Sequence, residues 1–246
     1  MSAPWWELPA LAFDTESTGL KVLTDRIVTV ALVRVGDGKP ACESHLINPG
    51  VEIPKVASDI HGITTERAVA EGLEPAPILE MTAAALALSL SKGQPVVGMN
   101  LAYDLSLLHA ECVRYDVETV SSRLGGHDML RPVVDALVLD GHVSSRAGRR
   151  RLTDLCEYYR VTHHGAHDSG YDALAAAEVA ARIARRYPAV GALSLDELHT
   201  AQISWKAERD ASYQAYRRRK EGNDSFNADW GWPLYDEVLN VGTVTS

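Results

Sequence analysis

Hydrophobic positions in this chain come in blocks, and the block lengths separate strands from helices. Residues 8–13 form a short apolar run that stops at Asp14, the pattern of a buried strand. Residues 26–35 are rich in β-branched side chains and predict a second strand. Gly36-Asp37-Gly38 marks a turn, and residues 41–47 predict a return strand. The chain thus opens with an antiparallel three-strand meander, closed by Asn48-Pro49-Gly50. Residues 60–64 read as a loop, with Thr64 or Thr65 capping a helix after it. Residues 77–91 carry strong helix formers and end near Gly93. From there the blocks alternate: strand 95–99, helix 103–112, strand 133–139, then helices 152–159 and 171–187. That order favours parallel pairing beside the meander and an α/β fold.

The pattern changes after Pro188. Residues 195–220 form a long polar helix candidate with Leu198, Trp205 and Tyr216 at roughly helical spacing, ending in Arg217-Arg218-Arg219-Lys220. The segment Trp230-Gly231-Trp232-Pro233-Leu234 is too apolar for a free tail. We expect residues 1–189 to form the main domain and residues 190–246 to be an extension docked on it or on a partner subunit.

With 246 residues, 46% of them hydrophobic, the chain can build a core without disulfides. Cys42, Cys112 and Cys156 lie far apart and show no zinc-ligand spacing. The N-terminal residues lack the pattern of a signal peptide, and no apolar run reaches membrane-spanning length, so a cytoplasmic location without membrane contact is expected. A net charge of −9 argues against a protein that coats phosphate backbones indiscriminately. It leaves room for an enzyme acting on nucleic acid, because bound cations reverse the local sign.

Five side chains carry the candidate chemistry: Asp14, Glu16, Asp104, His167 and Asp172. Asp14 and Glu16 are two apart, so a strand points both to one face. Asp104 falls in the first turn of a helix after Gly98-Met99-Asn100, and Asp172 in the first turn of the helix after a Gly- and Ser-containing loop. Each acid, alone, is also an ordinary turn or helix-start residue. Together, four carboxylates suit hard divalent cations, and a histidine can take a proton from water near neutral pH. His163 and His164 compete with His167 for that role. The arginines 146, 149, 150 and 151 either guide a nucleic-acid strand or form a solvated face.

Taken in order, these motifs resemble the DEDDh-type 3′-to-5′ exonuclease superfamily over residues 8–187. Asp14-Thr15-Glu16 with Thr18-Gly19-Leu20 resembles its first motif, Asn100 with Asp104 its second, and His167 with Asp172-Ala173 its third. A sister subfamily would carry a catalytic tyrosine at position 168, where this chain has Asp168. Met99 and Tyr103 depart from the His and Phe common in the family. The resemblance implies a ribonuclease H-like fold with a five-stranded mixed sheet and helices around it. It implies two Mg²⁺ or Mn²⁺ ions, with Asp14 bridging both, Glu16 and Asp172 on one, Asp104 on the other, and His167 as general base. Thr15, Thr18, Gly19 and Leu20 would hold the terminal nucleotide, with His61 and Asn100 as further substrate contacts. The expected activity is release of nucleoside monophosphates from single-stranded or frayed 3′ ends, DNA favoured. Alternatives are an RNA-trimming exonuclease of the oligoribonuclease kind and a catalytically decayed nucleic-acid-binding subunit. A homodimer and a polymerase partner are both compatible with the sequence.

Overall fold

The computed structural model describes residues 3–239 apart from 37, 147, 166, 167 and 229. At its centre lies one sheet of five strands in the order β3-β2-β1-β4-β5. Strands β1 (Ala10–Ser17), β2 (Ile27–Val35) and β3 (Ala41–Leu46) form the antiparallel meander that the apolar blocks predict. Strand β4 (Val96–Gly98) runs parallel to β1, and β5 (Val133–Asp135) runs parallel to β4. Around the sheet lie α1 (Lys55–His61), α2 (Thr65–Glu71), α3 (Pro75–Ser91), α4 (Leu101–Arg114), α5 (Val120–Leu124) and α6 (Ala136–Val143). They are followed by α7 (Leu152–Tyr159), α8 (Ser169–Arg186), α9 (Pro188–Gly191), α10 (Leu195–Glu221) and α11 (Asp236–Leu239).

The period-two alternation of β1 sorts its side chains between two layers. Leu11 and Phe13 join the core cluster that includes Leu79, Leu86, Leu105 and Leu108 of α3 and α4. Ala10 and Ala12 face the other way, among the alanines of α8, with Ala12 grouped with Ala173. Small side chains on both surfaces let α8 approach the sheet closely. Asp14 and Glu16 continue the Ala10–Ala12 row, so they emerge on the face that α8 covers. Thr15 continues the opposite row, toward α4.

Three sequence expectations need correction. Strand β1 does not stop before Asp14 but runs to Ser17, with Asp14 opposite Ala31 and Glu16 opposite Thr29. Backbone pairing with β2 is indifferent to the polarity of the side chains, and the register breaks only between Glu16 and Ser17. Residues 60–64 are not all loop: α1 reaches His61 and is ended by Gly62 at φ 72°, while Thr64 caps α2 by accepting from Arg67 N at 3.2 Å. The apolar run 133–139 is not one strand. It is three residues of β5 and then α6, divided at Asp135, whose carboxylate caps the helix. Both halves are buried, so hydrophobicity alone hid the boundary.

Helix α10 runs along the open edge of β5 and supplies partners a sixth strand would otherwise supply. Val133 N donates to His199 Nδ1 (3.1 Å), Asp135 N donates to Gln202 Oε1 (2.8 Å), and Gln202 Nε2 donates to the Val133 carbonyl (2.9 Å). Gln202 is wholly buried. Trp205, one turn from it, stacks on His142 of α6 with ring centroids 3.8 Å apart. A buried edge strand with unsatisfied polar groups is costly, and these side chains remove that cost. Three arginines of the basic run before α7 are internally committed: Arg146 and Arg150 pair with the buried Asp140, and Arg151 pairs with Asp154. Replacing Gln202 by Ala should therefore leave the Asp135 N–H and the Val133 carbonyl without partners, a loss of roughly 2 kcal/mol. Urea unfolding of the variant beside the wild type measures it.

Candidate active site

Three strands end at one edge of the sheet, because β1, β4 and β5 are parallel to one another. Chain reversals at the carboxyl ends of parallel strands leave a crevice where α/β proteins bind ligands. Asp14 and Glu16 reach it from β1. Asp104 reaches it from the first turn of α4, which leaves the end of β4, and Asp172 from the first turn of α8. Asp14, Glu16 and Asp172 each present a carboxylate oxygen within 4.8 Å of the others. Asp104 is held beside them by Thr15, whose N–H and hydroxyl both donate to Asp104 Oδ1, at 3.1 and 2.6 Å.

Crowding of like charges out of water shows in the acidities. Burial, then the neighbouring Asp104, Glu16 and Asp172 carboxylates, raise Asp14 well above the carboxylate range. Glu16 is pushed up to about 8 by burial and by Asp172 and Asp104. Burial pushes Asp104 up to about 7, against the two Thr15 hydrogen bonds that favour its charged form. Several carboxylates that cannot all ionise together are a natural cage for a hard divalent cation, which removes the repulsion. The donor set fits such an ion.

Thr18-Gly19-Leu20 forms a turn beside the acids, and side chains fix its shape. Thr18 Oγ1 accepts from Arg26 N (2.9 Å), and Lys21 N donates to Asp25 Oδ2 (2.6 Å). A β-carbon at Gly19 would sit 2.5 Å from Asp25 Oδ2, so only glycine lets that carboxylate close the turn. The Tyr103 hydroxyl donates to the Gly19 carbonyl (2.5 Å) and lies 2.6 Å from Ser17 Oγ. The tyrosine at this position, a departure from the family's usual Phe, thus ties α4 to the turn. Leu20 is 85% exposed at the tip of the turn. Its side chain is not part of the core.

The remaining candidates fall as follows. Asn100 precedes α4 with a left-handed backbone (φ 61°) and no side-chain cap bond. Its N–H and that of Leu101 are capped from across the crevice by Asp135, at 2.9 and 3.0 Å. His61 Nδ1 accepts from Ile63 N (3.1 Å) and shapes the α1–α2 corner. His167 lies outside the described residues. His163 Nε2 stands 2.5 Å from Asp172 Oδ1. Asp168, at the position of the sister subfamily's tyrosine, caps α8 by accepting from Gly170 N at 3.0 Å and Tyr171 N at 3.3 Å. Sequence reasoning noted Asp135 only within a segment resembling the family and Tyr103 only as a departure from Phe, and it missed the capping role of the first and the turn contact of the second. An Asp between two apolar runs is a cap pattern that points to the first. The departure from Phe marks the second, but its partner Gly19 lies 84 residues away and no local pattern names it.

Comparison with known proteins places the fold and the family. The family model for RNase T-type exonucleases matches residues 11–180. DNA polymerase III PolC-type of Caldanaerobacter subterraneus is 23% identical over 193 residues, covering 77% of this chain and 12% of the polymerase. A DNA polymerase III subunit epsilon-like protein of Rhodobacter capsulatus is 29% identical over 186 residues, covering 73% of this chain and 24% of that protein. Among solved structures, E. coli Exonuclease I in complex with a dT13 oligonucleotide superposes with a TM-score of 0.62 at 19% identity, covering 87% of this chain and 44% of that one. The chain spans only a small part of the PolC-type relatives it matches. Its fold is ribonuclease H-like. The chain belongs to the RNase T exonuclease family, within the DEDD exonuclease superfamily.

The raised pKa values set a pH dependence for the metal-free protein. A carboxyl that holds its proton more tightly when folded stabilises the fold at low pH, and that contribution is lost as pH rises through the folded value. With Glu16 near 8 and Asp104 near 7, stability should fall between about pH 5 and 8. Mg²⁺ or Mn²⁺ should restore it, most strongly at the alkaline end, because cations bind the ionised set. Melting curves across this range with chelator and with metal check both signs. A flat chelator profile counts against the crowding.

Proposed function

We propose that this chain is a metal-dependent 3′-to-5′ exonuclease that releases nucleoside monophosphates from nucleic-acid 3′ ends, DNA favoured. The observation that carries the reading is the convergence of Asp14, Glu16 and Asp172 beside a turn that presents an exposed Leu20. Asp14 would serve two Mg²⁺ or Mn²⁺ ions, Glu16 and Asp172 one of them, and Asp104 the other. Such ions, when bound, activate a water and stabilise the leaving oxygen of an in-line displacement. The protein's own part is positional. Thr15 orients Asp104, Tyr103 and Asp25 set the turn, and Leu20 packs against the terminal base, leaving no path for a continuing strand. Thr15, Thr18, Gly19, His61 and Asn100 line the terminal nucleotide's surroundings. His167, five residues before Asp172, would take the proton from the attacking water. His163 competes for that role through its contact with Asp172.

Residues 1–189 would form the catalytic unit and residues 190–246 its docked extension. PolC-type and epsilon-like polymerase proteins among the relatives support a polymerase-associated, cytoplasmic setting. Among the described residues no helix is long and apolar enough to cross a membrane.

The decisive assay offers linear and circular single-stranded DNA of one sequence with Mg²⁺ or Mn²⁺. Shortening of the linear strand from its 3′ end, with the circle intact, is expected. Efficient cutting of the circle would make the chain an endonuclease. Asp14→Ala should abolish turnover. His167→Ala should lower it on the order of 10²–10⁴-fold, the range for a general base. If His163→Ala is crippled instead while His167→Ala is active, the base assignment moves to His163.

A further inference from the structure

The proposed reaction concerns the last nucleotide, yet the crevice continues beyond it. A cavity of about 510 Å³ opens beside the turn, lined by Leu20, Asn100 and Tyr103 on one side. Its other wall comes from Lys206, Arg209 and Tyr213 of α10 and from Trp230 and Tyr235 of the segment after it. These wall residues lie beyond the span matched by the family model, which ends at residue 180. Their placement follows from the edge covering. Gln202 meets Asp135, the last residue of β5, so the helix beyond Gln202 overhangs the carboxyl edge where the acids stand. Positions 202, 206, 209 and 213 recur at helical spacing and share one face. From 202 to 213 the helix advances about 16 Å, enough for several nucleotides of a strand whose stacked spacing is about 3.4 Å.

The chemistry of this wall is aromatic more than ionic. Lys206 is committed to Asp210, and Glu237 also lines the cavity. Arg209 makes no hydrogen bond or ion pair that would fix its guanidinium among the described residues, although its charge acts on Asp135. One net positive group in a cavity that also holds Glu237 gives little electrostatic grip. The rings are another matter. Trp230 is 42% and Tyr213 40% exposed, a large aromatic area to leave against water, with Lys206 Nζ 5.8 Å from the Trp230 ring centre and the Arg217 guanidinium 5.5 Å from that of Tyr213. Tyr213 is held in place by Arg217, whose Nη1 donates to its hydroxyl at 2.6 Å, and by an edge contact with Phe226. Trp230 packs beside Tyr235, with ring centroids 6.3 Å apart, and Tyr235 is anchored to α4 through its N–H on Ser106 Oγ (2.7 Å).

We propose that Tyr213 and Trp230 form a stacking platform for the unpaired bases just upstream of the 3′-terminal nucleotide, making the chain selective for single strands. Bases inside a duplex have both faces covered by their neighbours, so only an unpaired strand can stack on protein rings along its length. The occupant is nucleic acid because the cavity is continuous with Leu20, Asn100 and Tyr103 of the catalytic crevice. This inference rests on the exonuclease reading but predicts more than it does. The grip is short, local and nearly independent of salt, which suits a chain of net charge −9.

The test compares two substrates of the full-length chain with Mn²⁺: an oligothymidylate of about twelve nucleotides, and the p-nitrophenyl ester of thymidine 5′-monophosphate, which reaches only the terminal pocket. Tyr213→Ala and Trp230→Ala should each lose about tenfold in kcat/KM on the oligonucleotide relative to the ester. Tyr213→Phe and Trp230→Phe, which keep a stacking face, should recover most of that loss. Fluorescence anisotropy of the labelled oligonucleotide in chelator should show the same order of affinities. Equal losses on both substrates would mean that the rings only support the fold, and no loss would mean that the strand passes elsewhere; either overturns the platform. If the wild type shortens the oligonucleotide and the alanine variants match it, the platform falls and the exonuclease reading stands. If the wild type binds through these rings but degrades nothing, the exonuclease reading falls and the platform stands.

Discussion

One buried carboxylate, which binds no substrate in any reading above, holds the carboxyl edge of the sheet together. Asp135 Oδ1 accepts from Asn100 N and from Leu137 N, each at 2.9 Å, and Oδ2 accepts from Leu101 N at 3.0 Å. A single side chain therefore caps two helices that leave adjacent parallel strands, α4 after β4 and α6 after β5. Burial pushes its pKa up, and the donated N–H groups work against that shift by favouring the charged form. Asn100 makes the sharp entry into α4 with a left-handed backbone, a conformation that asparagine tolerates better than most non-glycine residues. The start of α4 in turn decides where Asp104 stands relative to Thr15. Strand ends, helix starts and one acid of the site are thus a single mechanical unit.

That rigidity has a use. Four acids gathered at one edge repel one another, and each must be restrained from swinging away into water. Asp14 and Glu16 are fixed by the β1–β2 ladder, Asp104 by Thr15, and Asp172 by the first turn of α8, whose start Asp168 caps. Close packing of α8 on β1 requires the alanines on both surfaces, so the composition of the core sets the spacing of the acids. The result is a crowded cluster in which Asp14, Glu16 and Asp104 hold their protons more tightly than usual, the kind of local conflict that functional sites retain.

Much of this was legible in the chain. The meander, the long helices and the order of motifs follow from block length, β-branched content and turn residues. So does the placement of Asp14 and Glu16 on one face. Element boundaries were less legible where burial continues across a change of structure. At residues 133–139 the apolar run spans strand and helix, and only the single polar Asp135 marks the join. Strand β1 outlasted its apolar stretch for the converse reason, because a paired backbone tolerates polar side chains at a crevice. The Tyr103 hydroxyl on Gly19 and the Gln202 bonds to β5 were invisible because they join positions far apart in sequence. No local pattern encodes a contact across 67 residues.

Helix α10 shows how one element can bind two requirements together. Its first half meets the physical need of an edge strand, replacing a missing neighbour with His199 and Gln202. Its second half, on the same face, is carried past the end of that strand by nothing more than helical continuity. Any side chain placed there must stand over the crevice where the acids converge. An extension that arose to cover an edge would therefore acquire a view of the substrate path without further design of the fold. The converse also holds. A change that tilts α10 at Gln202 moves Arg209 and Tyr213 by a larger distance, since displacement grows with distance from the pivot. On the proposed reading, strand grip and edge stability are two ends of one lever, and a mutation at the edge should be felt in substrate affinity before it is felt in the chemistry at Asp14.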